Sequence, residues 1–282
     1  MNMSADQSFL YLAREILEKG EMRDNRTGIR TKSLFGLQTR FDARNLGMIT
    51  LKKLFYKSVI EELLWFLRGE TNTKTLNCKI WDANSTREFL DKRGLDYPEG
   101  EIGPSYGHQW RNSGGKIDQI MEAINLIKND PNSRRIIVSS WIPEDIPKMA
   151  LPPCHALFQF YVCNSKLSLK LHQRSADLFL GVPFNFMSYT LLLHIIATIC
   201  DLEPGEIVMS YGDIHIYENH IEKMKEAISR EPIENNVQLT INPELIAKYK
   251  DQPDLLFKNL TFDDFKIENY NSHPPIRAAM AI

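Results

Sequence analysis

The sequence predicts an α+β fold. Three observations predict it: separate segments with helical apolar spacing, two alternating strands joined by a two-residue turn, and one apolar run too long for a strand. Residues 8–19 place Phe9, Leu12, Ala13 and Ile16 on one helical face, and Gly20 ends the helix. Residues 58–68 form a second helix, rich in Val59, Ile60, Leu63, Leu64, Trp65, Phe66 and Leu67. A third covers residues 117–128, after which Asp130-Pro131-Asn132-Ser133 makes a turn. Ile136-Ile137-Val138 reads as a buried strand. Over residues 154–162, Cys, Ala, Phe, Phe and Val alternate with His, Leu, Gln and Tyr, and residues 166–173 keep Leu167, Leu169 and Leu171 on one face. Asn164-Ser165 between these strands fits a tight hairpin turn. The mostly apolar residues 184–200 are too long for a strand and too short for a membrane span, and read as a buried core helix.

The 282 residues are 43% hydrophobic and 25% charged, an ordinary globular composition that excludes disordered, collagen-like and coiled-coil classes. No repeat, low-complexity tract or Ser/Gly linker divides the chain, so one domain over residues 1–282 is expected. Lys plus Arg number 34 against 36 for Asp plus Glu, and the net charge of −2 offers no basic excess for nucleic acid. Cys78, Cys154, Cys163 and Cys200 stand far apart, with neither a C-x-x-C pair nor zinc-ligand spacing, so no metal and no disulfide framework are expected. The first residues lack a basic start followed by an apolar run, and no membrane span is expected; a reducing, cytoplasmic setting follows. Neither a Walker A loop nor G-x-G-x-x-G occurs, which argues against an NTPase or a dinucleotide-binding enzyme. Any phosphate would be held by arginines.

Hairpin pairing about Asn164-Ser165 sets Cys154 opposite Ser175, with Arg174 and His155 beside them. An arginine there favours the thiolate, the nucleophilic form of cysteine. The pattern alone leaves a second reading, a buried small apolar residue beside a surface cation. Glu62 projects inside the apolar arc of its helix between Trp65 and Phe66, while Glu61 lies toward the open side. A carboxyl in that setting is either a general acid/base of raised pKa or a helix-edge group reaching solvent. Arg134-Arg135, after a turn and before a strand, and Arg26 in a Gly-containing loop are either phosphate ligands or solvated cations. His215 and Tyr217 share a face if extended, as a structural pair or a ligand contact. Asn185 is a helix cap or the reader of a ligand amide.

Leu151-Pro152-Pro153-Cys154-His155-Ala156, Gln173-Arg174-Ser175-Ala176-Asp177 and Gly181-Val182-Pro183-Phe184-Asn185 together resemble the thymidylate synthase family. In the family's order stand also Asp24-Asn25-Arg26-Thr27-Gly28, Glu61-Glu62-Leu63-Leu64-Trp65-Phe66-Leu67, Ile80-Trp81-Asp82-Ala83-Asn84 and Tyr106-Gly107-His108-Gln109-Trp110-Arg111. Ser133-Arg134-Arg135-Ile136-Ile137-Val138-Ser139, Gly212-Asp213-Ile214-His215-Ile216-Tyr217 and the terminal Met280-Ala281-Ile282 complete a resemblance over nearly the whole chain. Residues 81–100 are similar to eukaryotic-type members, which carry a longer insert.

The resemblance implies one domain with a large mixed twisted β-sheet packed by helices. It implies reductive methylation of dUMP to dTMP, with methylenetetrahydrofolate as one-carbon and hydride donor and dihydrofolate as second product. Cys154 would attack uracil C6; Glu62 would manage protons near the O4 edge and help activate the folate; Tyr106 and its waters mark where the C5 proton leaves. Arg26, Arg174, Arg134, Arg135 and Ser175 would bind phosphate, Arg174 also activating Cys154. The adjacent pair would come from the other subunit of a homodimer. Asn185 would read the uracil O4 and N3–H, and His215 and Tyr217 the sugar hydroxyl. His155, Gln173, Ala176, Asp177 and Ile216 complete the implied nucleotide shell. Asp177 would also bind the pterin, in a ring site lined by Trp81, Asn84, Leu180, Gly181 and Phe184, with Lys52 on the polyglutamate tail and Ala281 in the closing C-terminus.

The chain departs from the family pattern at Lys53 (usually arginine), Ser105 (usually valine), His172 (usually tyrosine) and Phe186-Met187 (usually a smaller pair). Two other functions are weighed against synthase: a uracil hydroxymethylase in which water replaces hydride, and a catalytically silent nucleotide- or RNA-binding protein. Retained Trp81, which can shelter the exocyclic methylene, opposes the first; Cys154, Glu62, Tyr106, Arg174, Asp177 and Asn185 occurring together oppose the second.

Overall fold

The structure is a computed structural model, and it describes residues 3–280. Helix α1 (Ala5–Lys19) begins before its apolar periodicity because Ser4 caps it: Ser4 Oγ accepts from Gln7 N, and the Gln7 side chain accepts from Ser4 N. Three short strands follow, β1 (Glu21–Arg23), β2 (Thr31–Phe35) and β3 (Gln38–Asp42). Helix α2 (Tyr56–Leu67) lies within the core, and α3 (Arg87–Lys92) sits in the predicted insert. Helix α4 (Tyr106–Asn112) leads to α5 (Gln119–Asn129), the predicted third helix, which starts where Asp118 accepts from Met121 N.

Strand β4 (Ile137–Ser139) departs from the expected buried strand, since Ile136 and Val138 are fully enclosed while Ile137 is 45% exposed. The strand has one core face only. The predicted hairpin is β5 (His155–Cys163) and β6 (Lys166–Asp177). Asn164 and Ser165 both adopt left-handed backbone, φ 50° and 57°, as a type I′ turn requires. Pairing from Cys163↔Lys166 to Leu157↔His172 follows the register expected from that turn. Then Ala156 is left over as a bulge, and beyond it His155 pairs with Gln173. Cys154 therefore falls opposite Arg174, not Ser175: Arg174 N donates to Cys154 O at 2.9 Å.

Helix α6 (Gly181–Ile199) crosses from β6 to β7 (Glu203–Tyr217), which run parallel. Contrary to expectation it is long and apolar enough to cross a membrane by length and composition, yet most of it is buried against the sheet and α2. The other named strands of this sheet pair antiparallel, along the path β1-β2-β7-β6-β5-β4 with β3 also on β7, so the sheet is large and mixed, as expected. Helices α7 (Ile221–Ile228), α8 (Pro243–Tyr249) and α9 (Pro253–Asn259) and the small sheet of β8 (Gln238–Ile241) and β9 (Phe265–Glu268) complete the fold. One apolar core joins helices and sheet. The opposite face of the β4–β6 sheet exposes Ile137, Leu157 (38%) and Tyr161 (63%).

Candidate active site

A cavity of about 500 Å³ opens where the C-terminal ends of the parallel strands β6 and β7 meet residues 25–27 and 151–154. From the predicted set it gathers Arg26, Cys154, Arg174, Ser175, Asp177, His215 and Tyr217. Asn25, Thr27, Thr31, Trp141, Leu151, Pro152 and Asp213 also line it.

Cys154 sits at the bulged end of the hairpin, where its N–H donates to Tyr106 Oη at 2.8 Å. Arg174 is fixed across from it by two backbone carbonyls, donating from Nε to Pro153 O and from Nη2 to Pro152 O at 2.9 Å each. Its guanidinium lies 5.5 Å from the Trp141 ring. The thiolate is not favoured outright, as the sequence suggested: burial pushes the Cys154 thiol up, and Arg174, then Arg26, offset this only in part. Arg26 rides on a tight loop in which Asn25 Oδ1 accepts from Thr27 N, with Gly28 at φ 74° closing the turn. That side chain is solvent-exposed and makes no ion pair with a carboxylate among the described residues.

His215 reaches the cavity with its tautomer fixed, because Nδ1–H donates to Asp213 Oδ1 at 2.9 Å. Asp213 in turn pairs with Arg23 at 2.9 Å. The sequence reading missed Asp213, although the Asp-x-His spacing along an extended strand was the available signal. Ile216 and Ala176, by contrast, turn their side chains into the core on the other faces of β7 and β6 and do not line the cavity.

Behind Cys154 lies a polar layer. His155 is partly buried, its ring 5.2 Å from Tyr106 and 5.3 Å from Tyr189, and desolvation pushes its pKa down to about 4, so it is neutral. Gln173 Nε2 donates to Asn185 Oδ1 at 2.9 Å, which leaves the Asn185 amide nitrogen as donor for a ligand. Asn185 lies inside α6 and is no cap. Tyr106, at the start of α4, is enclosed, and burial holds its hydroxyl well above the usual phenol range. Glu62 accepts from Trp81 Nε1 at 2.7 Å. Burial pushes its carboxyl up to about 7, the Trp81 bond opposing weakly. Glu61 does not face the open side: it is 6% exposed and accepts from Asn77 Nδ2, because α2 is covered nearly all round.

Of the residues implied for the folate, only Asp177 lines the cavity. Asp177 Oδ1 accepts from Phe179 N and Leu180 N at the entry to α6. At Gly181 a Cβ would stand in ordinary contact, 3.8 Å from Asp177 Cβ and Asn185 Oδ1, so the glycine lies between two polar side chains. Trp81 is buried against Tyr106 (6.1 Å) and Trp65, and Asn84, Leu180 and Phe184 are half-buried. Lys52 is buried over the Phe179 ring, and its pKa is pushed down to about 8. Ala281 lies outside the described residues. Arg134 and Arg135 are exposed just before β4 and do not reach the cavity of their own chain. Among the described residues no cluster of His, Cys, Asp or Glu could hold a metal.

A family profile described as thymidylate synthase matches residues 7–282. The chain belongs to the thymidylate synthase family. It is 45% identical to the thymidylate synthase of Homo sapiens, over 97% of this chain and 90% of that one. It is 44% identical to the bifunctional dihydrofolate reductase-thymidylate synthases of Paramecium tetraurelia and Zea mays, over 98% of this chain in each case. The chain spans 61% and 54% of the length of those two relatives. Against the family pattern, Phe186 and Met187 face fully into the core, Phe186 packing 4.9 Å from Phe41, so that departure is a matter of packing. Ser105 buries a hydroxyl without a hydrogen-bond partner directly before Tyr106, His172 sits on β6, and Lys53 is exposed 6.0 Å from the Phe55 ring.

Proposed function

We propose that the chain converts dUMP and methylenetetrahydrofolate to dTMP and dihydrofolate. The observation that carries this reading is the single cavity that sets the Cys154 thiol among Arg26, Arg174 and Ser175 on one side and His215 and Tyr217 on the other. It offers a dianion's ligands, a sugar's ligands and a nucleophile in one space. Arg26, Arg174 and Ser175 hold the phosphate, Tyr217 and His215 Nε2 the sugar hydroxyl, and Asn185 the uracil O4 and N3–H edge. Cys154 then adds to C6, and C5 becomes a carbon nucleophile. Glu62, poised near neutrality by its burial, passes protons at the O4 edge, and neutral Tyr106 orients the water that takes the C5 proton. The folate, when bound, supplies the one-carbon unit and the hydride. Enclosed Trp81 keeps water from the transferred group.

The test mixes purified protein with both substrates, identifies the nucleotide by mass and follows dihydrofolate by absorbance. Equal yields of dTMP and dihydrofolate are expected. Hydroxymethyl-dUMP without dihydrofolate would replace this reading with the hydroxymethylase, and Ser105 beside Tyr106 would be the first residue to revert.

The same reading makes the working unit a cytoplasmic homodimer joined through the uncovered face of β4–β6, with Arg134 and Arg135 serving the other subunit's phosphate. Exposed Ile137, Leu157 and Tyr161 on that face, and the distance of both arginines from their own cavity, support it. Separately purified Cys154→Ser and Arg134→Ala/Arg135→Ala proteins are expected to be inactive. Mixed under mild denaturant and refolded, they should recover up to about a quarter of wild-type turnover, since one hybrid site in each heterodimer is intact. No recovery would remove the shared site.

A further inference from the structure

From residue 269 to residue 280 the chain has neither helix nor strand, so hydrogen bonds to the body of the protein set its course. Tyr270 Oη accepts from Leu54 N and donates to Ile49 O, His273 N donates to Thr50 O, and Arg230 Nη1 donates to Pro274 O. Past Pro274, one further hydrogen bond holds the segment among the described residues: Ala279 O lies 2.8 Å from His220 Nε2.

His220 is an unusual choice for its position. It is fully buried, with its ring 5.4 Å from Phe179 and 5.8 Å from Tyr217. A carbonyl only accepts, so Nε2 carries the hydrogen and Nδ1 presents a lone pair, which has no partner. If packing were the ring's only task, a leucine or phenylalanine would fill the space without burying an unsatisfied nitrogen. The bond to Ala279 is what the imidazole provides and an apolar side chain does not. Its other contacts are with Tyr217, at the sugar end of the cavity, and with Phe179, which lies under Lys52.

We infer that His220 is a positioning residue that fastens the C-terminal segment, through Ala279, beside Tyr217 in the wall of the active site. It touches no reacting atom. What the segment covers there rests on the synthase reading; the fastening itself does not.

The first test is release of the C-terminal residues by a carboxypeptidase from the full-length protein. His220→Leu should speed release by roughly tenfold or more at an unchanged melting temperature, and His220→Gln, which keeps an N–H donor, should return most of the protection. In turnover, His220→Leu should raise KM for methylenetetrahydrofolate by about tenfold while KM for dUMP stays within about twofold. A loss of core packing alone would lower the melting temperature without this split. The second test needs no substitution: in protein labelled with 15N-histidine, the His220 Nε2–H should exchange slowly with solvent, and deletion of residues 279–282 should abolish that protection. Unaltered release from His220→Leu, or a slowly exchanging Nε2–H that survives the deletion, overturns the assignment. Release and exchange are read without turnover, so failure of the methyl-transfer reaction would leave both results standing.

Discussion

Cys154→Ser should lower dTMP formation by about 10⁴-fold or more while dUMP still binds within about tenfold of wild type. The hydroxyl is nearly isosteric with the thiol, so the cavity keeps its shape and its arginines. It is a far weaker acid and nucleophile, and no strong base stands beside it: the pKa of His155 is pushed down to about 4, and Tyr106 Oη is already accepting from the Cys154 amide. Calorimetric binding of dUMP to the variant, together with loss of the covalent nucleotide adduct by mass, separates a missing nucleophile from a collapsed site. Turnover retained above about one per cent of wild type would remove Cys154 from its role. Burial also predicts the shape of the alkaline limb. Because the thiol lies above its ordinary value and Arg174 is the largest influence pulling it down, kcat/KM should rise with pH, and Arg174→Leu should move that rise to still higher pH.

Glu62→Gln should cost about 10²–10⁴ in kcat, the usual contribution of a positioned acid/base group, with little change in KM for dUMP. The same substitution has an opposite effect on stability. The Glu62 carboxyl is raised to about 7 from 4.5, so the fold prefers its neutral form. Its favourable contribution is fully present below about pH 4.5 and is lost as pH rises through about 7. Glutamine stays neutral throughout, and Glu62→Gln should therefore be more stable than wild type at pH 8 by about 2–3 kcal/mol, and nearly equal to it at pH 5. Denaturant unfolding at the two pH values measures the difference. An equal change at both would mean that the carboxyl is already solvated in the fold.

Much of this site was legible in the sequence because its parts sit on strongly patterned elements. The hairpin declared itself through strict alternation about Asn164-Ser165, and α6 through a long, mostly apolar run. The bulge at Ala156 was not legible: no glycine or turn residue marks it, and one unpaired residue sufficed to move Cys154 from Ser175 to Arg174. Strand β7 also escaped pattern reading over its first part, where Ile207, Val208 and Met209 are buried in succession; alternation appears only from Asp213 to Tyr217. Glu61 was assigned outward by helical angle, an argument that presumes an open side which α2 lacks. The helices after residue 220 are short and depend on tertiary packing more than on their own periodicity. Asp213 was passed over because its work is done through His215 and not on a ligand.

The parallel pairing of β6 with β7 has a kinetic consequence. Cys154 and Arg174 meet across a local hairpin, but His215 and Tyr217 join them only after the chain has closed the α6 crossover, and Arg26 only after β2 has found β7. Contacts of such sequence separation form slowly, so the cavity is among the last features a refolding chain completes. By the same token no small local opening removes it. A nucleotide bound there stabilises the whole central sheet against global unfolding, and saturating dUMP should slow amide exchange along β2, β6 and β7 together.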